Sequence, residues 1–193
     1  MSSLKKRCEW VGDDSIYIEY HDNEWGRPVY DDKVLFEFLI LEGAQAGLNW
    51  LTILKRRESY RRVFHGFDPE KVANMSDDEI AIALKDGGII RNNLKVHSAV
   101  RNAKVFLTIQ KEFGSFSEYL WSFVNKAPIV GNYKDINEVP VTTKVSDKIS
   151  NDLKKRGMNF VGSTIIYAYM QAVGLVNDHT SGCYLSPQDK LLD

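Results

Sequence analysis

The chain has 193 residues, 44% of them hydrophobic, and a formal net charge of −1. That length suits one domain, taken as 1–193, with a real buried core, and no apolar run reaches the roughly 18 residues of a membrane span. The balanced charge excludes a global basic field, so any nucleic-acid binding must rest on local patches.

The start, MSSLKKRC, has charges with no apolar stretch behind them, so it does not read as a secretory signal and a cytoplasmic protein is expected. Only two cysteines occur, Cys8 and Cys183, and that compartment disfavours a disulfide. Cys8 is followed by His21 after twelve residues, and His179 precedes Cys183 by three, a chelate spacing. Two Cys and two His form the donor set of a closed tetrahedral zinc site. The alternative is two free thiols and two unrelated histidines. Closed coordination leaves no place for water, so such a zinc would be structural and would clip the two ends of the chain together. His65 and His97 read as ordinary surface or turn residues.

Trp10, Tyr17, Tyr20 and Trp25 lie just upstream of a nearly all-apolar stretch, Val34 to Trp50, read as a helix capped by Asp31 or Asp32. Leu35, Phe38, Leu39, Glu42 and Ala46 recur at spacings of three and four and share one stripe. Glu42 therefore points inward, the only charge on that stripe. A buried carboxylate is costly unless paired. It is either half of a core ion pair or a recognition group in a pocket. With Trp50 just downstream, an acid among aromatic planes suits a flat, polar-edged, cationic ligand. Leu48, after Gly47, reads either as a wedge for a duplex or as a core leucine.

The remaining signals are helical, and the fold class is all-α. Asn49 caps Trp50 to about Phe64, whose Lys55, Arg56, Arg57, Arg61 and Arg62 form either a DNA-facing patch or a solvated face. Asp68-Pro69 opens a short helix. Ser76 to Glu79 is a capping box for a helix that Gly87-Gly88 ends. Asn92 to Phe113 is a long amphipathic helix with Val96, Val100, Ala103 and Leu107 on one stripe. Ser115 to Glu118 is a second capping box, leading into Tyr119 to Val124. Ile129 to Val145, with Pro128, Gly131 and Pro140, reads as loop. Ser146 is taken as the next cap.

Ser146 to Gly174 gives a polar helix, a tight turn from Gly157 to Gly162, and an apolar helix. The amides opening that second helix suit a phosphate, and Lys154, Lys155 and Arg156 sit beside the turn. This is the pattern of a helix-hairpin-helix DNA-binding element at about 146–174.

Several strings in order carry a resemblance: Tyr20-His-Asp-Asn-Glu-Trp-Gly26, Leu41-Glu42-Gly43 with Ala46-Gly-Leu-Asn-Trp50, Trp121-Ser-Phe-Val-Asn125, Lys154-Lys-Arg-Gly157 with Phe160-Val-Gly162, and Gly174-Leu-Val-Asn-Asp-His179. From Cys8 to Cys183 the chain resembles the type I 3-methyladenine DNA glycosylases of the helix-hairpin-helix superfamily. The resemblance implies a helical glycosylase bundle with one structural Zn²⁺ on Cys8, His21, His179 and Cys183. It places the base-recognition acid at Glu42 and the pocket aromatics at Trp10, Tyr17, Tyr20, Trp25 and Trp50. Gly157, Gly162, Lys154, Lys155 and Leu48 are then the expected DNA contacts. The implied activity is hydrolytic excision of 3-methyladenine from alkylated double-stranded DNA by a monomer, with free 3-methyladenine as product. Other superfamily members use an aspartate after the hairpin; Asp178 stands nearest here but adjoins His179, and is read either as supporting the metal ligands or as structural. No lysine is placed for Schiff-base attack on the sugar. A non-catalytic reader of alkylated DNA on the same scaffold is the alternative, and a helical zinc protein without a DNA role is a third.

Overall fold

The computed structural model describes residues 5–187, so the first four residues of the MSSLKKRC start lie outside the described residues. Ten α-helices make up most of the described chain: α1 Ser15–Asn23, α2 Asp32–Gln45, α3 Trp50–Leu54, α4 Arg57–Val63, α5 Pro69–Ala73, α6 Asp77–Lys85, α7 Asn93–Phe113, α8 Phe116–Ser122, α9 Lys144–Arg156 and α10 Ser163–Ala172. None is long and apolar enough to cross a membrane.

Helix α2 is the centre. Leu35 to Ala44 are all buried, and α3, α7, α8 and α10 pack around it. A helix apolar on every side is what such a position requires. Asp31 caps it by accepting from Val34 N at 2.9 Å. Asp32 does a different job. Its carboxylate accepts from Phe116 N and Ser117 N, both at 2.8 Å, and so fixes the start of α8.

The helix stops at Gln45, short of the expected Trp50. Gly47, at φ +76°, turns the chain, and Asn49 caps α3 by accepting from Leu51 N. The expected single helix from Trp50 to Phe64 is likewise two pieces, broken at Lys55 and Arg56. On α7 the buried stripe runs through Phe106 rather than Leu107, which is only partly covered. Ser76 and Glu79 form the full reciprocal capping box. Ser115 caps α8, but the Glu118 carboxylate bonds Lys126 instead of closing a box.

The cap of α9 is Thr143, not Ser146. Ser146 occupies the third helical position and bonds back to Thr143 N at 2.8 Å. A serine there does the work usually expected of Glu or Gln, which hides the box in the sequence. Inside the expected loop, β1 Ile129–Val130 pairs in parallel with β2 Val176–Asn177. Two residues are too few to show alternation.

Candidate functional site

Six segments build one cavity of about 220 Å³. The one-turn helix at Glu9–Val11 supplies Trp10, α1 supplies Tyr17 and Tyr20, and Trp25 follows α1. The rings brace each other edge to face: Trp10 lies 5.1 Å from Tyr17 and 5.0 Å from Trp25, with interplanar angles near 70°. Tyr20 lies 5.6 Å from Trp50, the first residue of α3. Glu42 and Gln45, one turn apart on α2, enter from the centre of the fold. Ala168 and Gln171 of α10 and Ile136 of the loop before α9 complete the lining.

All six residues expected around a base, Glu42 included, thus line a single cavity. Gln45, Ile136, Ala168 and Gln171 were not anticipated. Gln45 was findable, because it follows Glu42 by three residues on one helix. Ile136 was not, because its loop carries no pattern that ties it to a site.

Glu42 is buried, at 4% exposure. No cation or hydrogen-bond donor among the described residues meets it, and burial alone pushes its carboxyl up to about 8. Tyr17 and Tyr20 are also raised, first by burial and then by the Glu42 charge. The indole N–H of Trp50 is buried and meets no hydrogen-bond partner among the described residues. Such burial favours the neutral acid of Glu42 over the carboxylate. A cation in the cavity favours the carboxylate, and a neutral ring does not.

The same helix shows the contrasting case. Glu37 is buried too, but Arg57 Nε donates to it at 2.5 Å and Arg61 Nε at 3.0 Å. The whole basic cluster is occupied within the fold. Lys55 pairs with Asp14, Arg56 donates to Gly87 O, Arg57 also meets Glu24, Arg61 also meets Glu58, and Arg62 pairs with Asp86. Of the ion-paired residues Arg57 is the least exposed, and Lys55, Arg61 and Arg62 make ion pairs on a solvated face.

Next to the cavity, Cys8, His21 and Cys183 bring their donor atoms within 4.8 Å of one another. His21 Nε2 stands 3.4 Å from Cys183 Sγ, and His21 Nδ1 bonds Asp22 Oδ1 at 2.8 Å. Arg7 grips Asp22 at 2.8 and 2.7 Å and holds its carboxyl well below the usual range. The Cys183 contact brings the Cys8 thiol down to about 7, and that contact together with burial pushes Cys183 up to about 12. One thiol poised to ionise beside a second thiol and an oriented imidazole fits a soft or borderline cation. His179 falls outside this three-residue group. Its ring lies 5.0 Å from that of His21, with Nδ1 bonded to Asn177 Oδ1 at 2.8 Å. Gly26 makes room for it: a Cβ there would come within 2.8 Å of His179 Cε1. Asp178 turns away to accept from Tyr167 Oη at 2.6 Å and Gln171 Nε2 at 2.9 Å, and burial raises its carboxyl.

Gly157, at φ +104°, ends α9, and the turn to Gly162 leads into α10. Asn102 of α7 clamps that turn, donating to Asn159 O and accepting from Asn159 N, both at 2.9 Å. Phe160 rests on Gly43, the residue after Glu42, where an added Cβ would meet Phe160 Cβ at 3.3 Å. Lys154 and Lys155 are exposed beside the turn. Arg156 is held inward by Glu112 and Asp152. Leu48 is 38% exposed, which excludes the core-leucine reading.

This helical frame, with its acid-bearing aromatic cavity, is the architecture of a DNA glycosylase: it superposes with a TM-score of 0.91 on 3-methyladenine DNA glycosylase I from Staphylococcus aureus, whose structure explains 3-methyladenine recognition, at 37% identity over 94% of this chain and 96% of that one. The methyladenine glycosylase family model matches residues 10–186. DNA-3-methyladenine glycosylase of Haemophilus influenzae is 51% identical over 180 residues, covering 93% of this chain and 97% of that protein. DNA-3-methyladenine glycosylase 1 of Escherichia coli K12 is 49% identical over 185 residues, covering 96% and 99%. The chain belongs to the methyladenine glycosylase family.

Proposed function

We propose that this protein is a monofunctional DNA repair glycosylase that flips 3-methyladenine from alkylated double-stranded DNA and hydrolyses its glycosidic bond, leaving an abasic site. The observation that carries this reading is Glu42, buried in an aromatic cavity without a counterion among the described residues. Adenine methylated at N3 is a cation while joined to deoxyribose. Breaking the C1′–N9 bond returns its electron pair to the ring, so the base leaves neutral and needs no proton. Water adds its oxygen to C1′ and releases a proton to solvent.

The protein's task is therefore extraction and recognition. Flipping costs a few kcal/mol, less for a damaged base, and stacking returns roughly 1–3 kcal/mol per base. Tyr20, Trp25, Trp50, Tyr17 and Trp10 supply the planes, and a cationic ring gains more from them than a neutral one. Glu42 accepts from the amino edge of the base and favours its charge. Normal adenine meets a protonated acid and loses both terms. No lysine lines the cavity among the described residues, which supports hydrolysis without a Schiff base.

Lys154, Lys155 and the Gly157–Gly162 turn grip phosphate, and Leu48 enters the duplex. Cys8, His21 and Cys183, joined by His179 as a fourth donor, would hold a structural Zn²⁺ that ties together the segments carrying Trp10, Tyr20 and Trp25, and four protein donors would leave no position for chemistry. The protein acts in the cytoplasm as a single chain. Chromatography of bases released from methylated duplex DNA tests the proposal. Release of 3-methyladenine with the strand left unbroken is expected. Tight binding of methylated DNA without release would make the protein a reader instead.

A further inference from the structure

The connection 46–49 joins α2 to α3 and has cavity residues at both ends, Gln45 before it and Trp50 after it. The last carbonyls of a helix lack partners within the helix. Here Leu48 N takes Gln45 O, Ala46 N takes Gly43 O, and a side chain takes Ala44 O. Lys95 Nζ donates to Ala44 O at 2.8 Å and to Ala46 O at 2.7 Å, and Gln45 Nε2 donates to Leu48 O at 3.0 Å. Lys95 comes from the first turn of α7, is partly buried, and pairs with no carboxylate among the described residues. A lysine that gives up water for two peptide oxygens at the negative end of a helix dipole is acting as a clip.

We propose that Lys95 is a positioning residue for base excision: it fixes the connection 46–49, so that Trp50 stays beside Glu42 in one cavity while Leu48 remains exposed. This rests on the glycosylase reading, and the wild-type chain tests that reading separately. If wild-type protein releases no base from methylated DNA, the function fails before Lys95 is tested. The competing role for Lys95 is a phosphate contact. Phosphate binding predicts one lost unit of salt dependence and an intact cavity, whereas positioning predicts the reverse.

The experiment compares Lys95→Met and Lys95→Arg with wild type in three measurements: single-turnover excision from methylated duplex, affinity for free 3-methyladenine without DNA, and the salt slope on undamaged duplex. Lys95→Met is expected to slow excision at least tenfold and weaken free-base binding severalfold with the salt slope unchanged. Lys95→Arg, which keeps charge and donors, is expected to restore most of both. Wild-type excision in Lys95→Met would overturn the proposal. So would unchanged free-base binding with a salt slope smaller by about one, or an equal loss in both variants.

Discussion

Glu37 and Glu42 stand five residues apart on α2, buried to 6% and 4% exposure, and only Glu37 meets a cation. The helix thus carries one acid that closes an ion pair and one that waits for a partner. Removing the Glu37 charge takes from Arg57 one of its two carboxylates and leaves Glu24 at 2.7 Å. Glu37→Gln is expected to cost about 1–3 kcal/mol of stability. Glu42→Gln breaks no ion pair. Denaturant titration of the two variants separates the roles, and equal destabilisation would place Glu42 among the structural acids.

Activity should divide the other way. Glu42→Gln keeps an acceptor oxygen but loses the charge, and Glu42→Ala also leaves the amino edge of the base unpaired. Excision by Glu42→Gln should fall about ten- to hundredfold, equivalent to losing roughly 1–3 kcal/mol of interaction, with Glu42→Ala lower still. Single-turnover excision beside DNA affinity is the measurement. Wild-type excision in Glu42→Gln would show that this acid reads nothing.

The same residue predicts a pH dependence. Burial raises Glu42 from its ordinary 4.5 to about 8. The folded protein then holds this proton more tightly than the unfolded chain does. Its contribution to stability is full below about 4.5 and is lost as pH rises toward 8. Gln does not titrate. The stability of Glu42→Gln relative to wild type should therefore rise between pH 5 and pH 8 by an amount on the order of a few kcal/mol. Melting curves across that range check it, and a constant difference would mean that Glu42 ionises freely in the empty cavity.

Glu42 was legible from the sequence because helical spacing places it among Leu35, Phe38 and Leu39, and spacing is a local property. The cap of α9 was not legible, because Ser146 closes its box where Glu or Gln usually stands. The split of the charged helix after Trp50 was hidden as well, since Lys55 and Arg56 are good helix formers and carry no local mark of a break. The cavity residues from distant segments, Ile136 and Gln171, are joined to Glu42 only by folding. So is Lys95, whose target carbonyls carry no side-chain signature.

The proposed zinc clip predicts one zinc per chain by elemental analysis of protein purified without chelator. Cys183→Ser and metal stripping should both lower the melting temperature, with activity following the folded fraction. Gly26→Ala should resemble them, because a methyl there drives into the His179 ring and the backbone sits at φ +73°. About 1–3 kcal/mol is the expected cost. Normal melting with a selective loss of turnover in Cys183→Ser would contradict a structural metal.

Beside the hairpin, three consecutive basic residues divide into two roles. Lys154 and Lys155 are exposed next to Gly157, where the turn can meet phosphate. Arg156 bonds Glu112 and Asp152 and lies 5.3 Å from the centroids of both Phe113 and Tyr119. Its charge is used inside the fold. Replacing Lys154 and Lys155 with Ala should weaken binding on every DNA sequence and reduce the slope of log affinity against log salt by roughly 0.9 per lysine that touches phosphate. Arg156→Ala should lower the melting temperature and leave that slope unchanged. The turn is clamped by Asn102 and rests on Gly43, so the lysine double variant should keep wild-type affinity for free 3-methyladenine. Measuring both variants in one salt series decides the matter: an unchanged slope for the double lysine variant would return Lys154 and Lys155 to a solvated face and move the phosphate grip elsewhere.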